Sequence, residues 1–139
     1  MGVRVRVRVE AGERKVETSA LVNSGFESEV PLIILPLRVA EALGFSPKGL
    51  EEESYLGAGG VAVILYSIPK KLRLSVVTED RTVGPVKTRA CISLGEKEVI
   101  LSDAASSELG ISIEDLKRGV WRFADENKRR ASARKEEWI

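Results

Sequence analysis

At 139 residues and a formal net charge of +1, with 43% hydrophobic and 31% charged residues, the chain has the size and composition of one ordinary globular domain. It contains no histidine and one cysteine, Cys91, which excludes histidine-based nucleophile pairs, the usual zinc ligand and an internal disulfide. Near-zero charge gives no global basic field for nucleic acid, and no apolar run reaches the ~18 residues that cross a bilayer.

The N-terminal "MGVRVRVRVE" lacks a signal peptide's apolar core. The expectation is a cytoplasmic protein with no cofactor, binding neither membrane nor nucleic acid. Glutamine is absent and Glu, Lys and Arg are abundant, a bias resembling that of thermophile proteins.

Residues 3 to 9 alternate Val and Arg, so Val3, Val5, Val7 and Val9 line one face of a strand and Arg4, Arg6 and Arg8 a solvated other face. A turn at Ala11-Gly12-Glu13 leads into a strand from Arg14 to Val22. Its apolar end, Ala20-Leu21-Val22, stops at Asn23-Ser24-Gly25, where a glycine able to adopt angles closed to other residues makes a tight turn. Val30 to Leu35 reads as a strand, and Pro36 opens a helix whose Leu37, Val39, Ala40 and Leu43 share an apolar face up to Gly44.

Residues 51–56 and 61–68 flank "GAGG" and predict a hairpin with a glycine-rich tip. Strands follow over 71–78 and 86–93, separated by a turn at "EDRTVGP" over 79–85, and a short strand over 98–101. Ser102 caps a short helix carrying Asp103 in its first turn and ending before Gly110. Residues 111–113 and 120–123 are closing strands, and the charged segment 124–139 is a peripheral helix or a frayed tail. Many short strands with two helices make the class mainly β.

The order of these pieces resembles the retropepsin-like, or retroviral-type, aspartic protease family over roughly residues 5 to 123. "ALVNSGF" matches the family's first motif, which carries Asp-Thr-Gly or Asp-Ser-Gly. "LGAGG" at 56–60 matches its flap, and "VILSDAASSELGI" at 99–111 its second apolar element, packed beside the active-site strand. The resemblance implies a closed, psi-loop β-barrel domain over residues 1–123, working as a homodimer that takes an extended peptide at a cleft between subunits. It implies catalytic positions at Asn23, Ser24 and Gly25, with Asp103 nearby, and a substrate-binding flap of Leu56, Gly57, Ala58, Gly59 and Gly60.

Two positions depart from the family. Ser102 stands where the second motif has glycine, a change small enough for close packing. Asn23 stands where the family has its catalytic aspartate, and an amide cannot accept and return a proton near neutral pH. The other aspartates are Asp80, Asp103, Asp115 and Asp125; Asp103 alone falls in a motif, and a helix-capping role accounts for it.

Three readings follow. One is a peptidase that depends on Asp103 or on conversion of Asn23, whether Asn23 is engineered, natural or deamidated. Another is a non-catalytic peptide-binding module on the same fold. The last is a binder of anionic surfaces through Arg4, Arg6, Arg8, Lys128, Arg129, Arg130, Arg134 and Lys135, which the neutral net charge disfavours. The expectation is an aspartic-peptidase fold inactive as written.

Overall fold

The computed structural model describes residues 2–56 and 60–139. The valine alternation forms strand β1 (Val3–Ala11), with Val3, Val5, Val7 and Val9 wholly buried. A two-residue turn at Gly12-Glu13 returns the chain as β2 (Arg14–Val22), antiparallel to β1 from Ala11↔Arg14 to Val3↔Val22. The outward arginines are not simply solvated: Arg4, Arg6 and Arg8 pair with Glu98, Glu136 and Glu17.

After the turn at residue 23 come β3 (Leu32–Pro36), buried throughout, and α1 (Leu37–Ala42), which sets Val39 and Ala40 in the core. Strands β4 (Glu51–Leu56) and β5 (Ala62–Ser67) form a hairpin registered from Glu51↔Ser67 to Leu56↔Ala62. Then follow β6 (Leu72–Val77), β7 (Thr82–Ser93), β8 (Val99–Leu101), α2 (Asp103–Glu108), β9 (Ile111–Asp115), β10 (Val120–Phe123) and β11 (Arg130–Ala131).

Six strands, in the order β3-β8-β2-β1-β6-β7, close into a barrel through the β3–β7 pairing. The protein is thus mainly β, with a closed six-stranded barrel and two short helices among the described residues. No helix among them is long and apolar enough to cross a membrane. Closure gives each barrel strand a paired neighbour on both sides. Strand β8 threads between β2, to which it runs parallel, and β3, to which it runs antiparallel. The hairpin pairs with β7 at its root, through Tyr66↔Ile92 and Ser67↔Cys91, and β4 has no second strand neighbour among the described residues.

Two segments differ from the sequence expectation. The turn expected over 79–85 is tighter: Thr78 and Arg81 close it by Thr78 N–H to Arg81 O at 2.9 Å, and Thr82 already lies in β7. Gly84 and Pro85 are carried inside that strand opposite a register shift between Leu74 and Val76. A side chain at Gly84 would meet Leu74 O at 2.8 Å, so only glycine fits the approach.

The C-terminal segment is neither a helix nor a frayed tail. It is extended: β11 pairs with β10, which in turn pairs with β9 in a separate three-stranded sheet. The chain then runs along β1, where Ala133 N–H donates to Arg4 O at 2.7 Å. Strand β6 pairs with β1 only over Val7 to Glu10, and the tail supplies partners to the stretch that β6 leaves uncovered. Glu136 N–H donates to Ser19 Oγ at 2.8 Å, and Trp138 Nε1–H to Thr18 Oγ1 at 2.9 Å. Arg130, buried against Trp121 and Phe123, holds Glu126 and Asp80 and so fastens the start of this strap.

Candidate functional site

The apolar end of β2 lies between β1 and β8, and its pairing continues to Asn23, whose N–H donates to Leu101 O at 3.3 Å. There the side chain takes over. Asn23 Oδ1 accepts the N–H of Gly25 at 3.0 Å, and Phe26 N–H donates to Asn23 O at 3.1 Å, an Asx turn. Asn23, Ser24 and Gly25 are all exposed. Gly25 is not among the glycines with positive φ, contrary to the conformational reason expected for it. A Cβ there would sit 3.3 Å from Asn23 Oδ1, a tight contact with the side chain that forms the turn.

The second motif ends beside this turn because β8 is threaded next to β2. Ser102 is wholly buried, and its Oγ accepts from Leu32 N–H at 3.2 Å and Ala105 N–H at 3.1 Å. The hydroxyl caps α2 and joins it to β3, work that a glycine at this position has no side chain to do. Asp103 donates its N–H to Phe26 O at 2.9 Å, and its Oδ1 accepts from Ser28 N–H at 2.9 Å and Ala104 N–H at 2.7 Å. Its carboxylate therefore ties the loop after Asn23 to the start of α2, and it is not part of the cleft lining.

A cleft of about 820 Å³ opens between the Asn23 turn and the hairpin. Asn23, Gly25, Phe26 and Glu27 form one side, Ile34 and Ile100 the floor, and Tyr55, Val63 and Leu65 the hairpin side. Ser93 and Glu96, at and beyond the end of β7, complete it. The apolar floor belongs to a small second core of Leu32, Ile34, Leu65 and Cys91, with Phe26, Tyr55 and Ile100 packed against it.

Of the expected flap, Leu56 ends β4 and Gly60 precedes β5, exposed and with φ of 76°. Gly57, Ala58 and Gly59 lie outside the described residues. The arms of the hairpin line the cleft through Tyr55, Val63 and Leu65, which the sequence reading did not select. The alternation of Val63 and Leu65 along β5 was the available signal. Glu27 and Glu96 were missed as well: Glu27 sits two residues beyond the Gly25 turn, whereas nothing local in the sequence brings Glu96 to this site.

The hairpin root is polar and closely bonded. Arg89 donates to Glu53 at 2.9 Å and to Ser67 Oγ at 3.3 Å, and the Tyr55 hydroxyl donates to Glu53 at 3.2 Å. Burial, followed by the nearby Glu53 carboxylate, raises the Tyr55 phenol above its ordinary value and pushes the Cys91 thiol up to about 11. Cys91 is thus a thiol, not a thiolate nucleophile, at neutral pH. Its burial and these bonds tie the base of the hairpin to β7.

The chemistry open to this site is limited. The Asn23 amide neither gives nor takes a proton near neutral pH, and its oxygen is already an acceptor in the turn. Among the described residues no group of three or more His, Cys, Asp or Glu is placed to hold a metal ion. The cleft is a partly apolar surface with convergent polar groups and two glutamates, the character of a binding site. No family model matches the chain, and no curated protein matches it.

Proposed function

We propose that this protein is a retropepsin-like homologue that grips an extended peptide in the cleft beside Asn23 and does not hydrolyse it. The observation that carries the reading is the threading of β8 between β2 and β3, which sets the Asn23 turn and the Ser102–Asp103 element side by side beneath a projecting hairpin. That placement supports the reading, because the resemblance expects the two motifs side by side near a hairpin. An extended peptide fits such a site by lying along strand backbone and seating alternate side chains in apolar pockets, here between Tyr55, Val63, Ile34 and Ile100.

The proposal includes a homodimer with its two-fold axis between the two Asn23 turns. Each chain supplies one such turn, and Asn23, Ser24 and Gly25 are exposed and open to a second copy. Aspartic proteolysis needs two carboxyl groups sharing a proton, one as base and one as acid. Two asparagines provide neither, which removes a contribution of roughly 10²–10⁴-fold in rate.

Amide-shift mapping with a short alternating Val/Thr peptide tests the binding reading. Shifts are expected at Phe26, Tyr55, Val63 and Ile100, and sedimentation is expected to give a dimer at tens of micromolar protein. Shifts confined to other faces of the barrel, or a strict monomer, contradict it.

A further inference from the structure

Resting on the peptide-binding reading above, we infer that the peptide is basic as well as apolar, with Lys or Arg flanking the residues seated on the cleft floor. Glu27 and Glu96 both line the cleft, both are exposed, and neither makes an ion pair among the described residues. Among the described residues no lysine or arginine lines the cleft with them. Facing the outer side of β1, by comparison, Glu98, Glu136 and Glu17 are each matched by an arginine of that strand.

Two carboxylates in the lining of an apolar-floored cleft, with no cation beside them among the described residues, are complementary to a strand that carries positive charge next to branched apolar residues. Such complementarity selects among partners and raises the rate of encounter more than it adds affinity. An acidic peptide meets like charges at both positions and is rejected.

The test uses three fluorescein-labelled peptides with one alternating Val/Thr core, flanked by Lys, Gln or Glu, titrated against the full chain at low salt. Tighter binding of the Lys peptide than of the Glu peptide is expected, by roughly tenfold for two exposed charge pairs. The preference should shrink in about 0.5 M salt, where screening is strong. In the Glu27→Gln/Glu96→Gln variant the three peptides should bind alike. Both side chains are exposed and unpaired, so this variant does not put folding at stake.

If all three peptides bind the native protein equally, or the Glu peptide binds best, the charge inference is overturned while peptide binding stands. Failure of every peptide, the Gln one included, overturns the peptide reading and this inference with it.

Discussion

The carboxylate of Asp103 accepts the backbone N–H of Ser28 at 2.9 Å, spanning 75 positions of sequence to fasten the loop after Asn23. The one aspartate in the second motif is thereby committed to holding the neighbouring turn in place. With Asp103 N–H donating to Phe26 O, the loop is held at two points by one residue.

Asp103→Ala should therefore loosen the loop and cost about 1–3 kcal/mol, the range for losing a hydrogen bond to a charged group at a partly buried site. Asp103→Asn keeps an acceptor oxygen and should lose less. Chemical denaturation with amide shifts at Asn23 to Ser28 checks this. An Ala variant of native stability with an undisturbed loop contradicts the assignment.

The C-terminal strap should contribute to stability through Trp138, which packs against the main core and bonds Thr18. Trp138→Ala is expected to destabilise the protein by roughly 1–3 kcal/mol, less than a fully buried tryptophan because the side chain is half-buried. Urea unfolding of the variant measures it. A shift within a few tenths of a kcal/mol means that the strap is dispensable.

Acid should release the same strap. Hydrogen bonding to the Arg130 guanidinium holds the Glu126 carboxyl down to about 2 from an ordinary 4.5, and holds Asp80 well below its usual range. A depressed carboxyl stabilises the fold above its unfolded value and loses that contribution as pH falls through its folded value. Strap contacts should therefore weaken progressively from about pH 4.5 toward pH 2. Tryptophan fluorescence from Trp121 and Trp138, compared with amide protection of the barrel strands, follows the two events separately. Fluorescence unchanged across that window contradicts the role given to the Arg130 cluster.

The parts of this fold legible in the sequence are those set by local pattern. The Val/Arg alternation dictates β1, the run from Ala20 to Gly25 dictates a strand and its turn, and the "GAGG" tip marks the hairpin. Ser102 was readable as a cap because its acceptor serves an N–H only three residues away. What escaped depends on contacts distant in sequence. The segment after Phe123 looks like a solvated charged run until the uncovered stretch of β1 and the partners Thr18, Ser19 and Asp80 are brought to it. Gly84-Pro85 reads as a turn because the register shift that accommodates it belongs to β6. Glu96 reaches the cleft from the loop between β7 and β8, far in sequence from the Asn23 turn.

On the proposed reading, a carboxylate at position 23 is what the site lacks for peptide hydrolysis. The direct measurement is cleavage of a mixed peptide library by the native protein and by Asn23→Asp, read by mass spectrometry between about pH 3 and pH 7. In the proposed dimer two aspartates would face each other and repel, so that one retains a proton and the pair regains an acid and a base as pH falls. The account predicts no cleavage by the native chain with its amide intact, and cleavage by Asn23→Asp that rises on acidification and is blocked by a transition-state mimic of peptide hydrolysis. Cleavage by the native chain with an intact amide at Asn23, or an inert Asn23→Asp protein that is folded and dimeric, contradicts it.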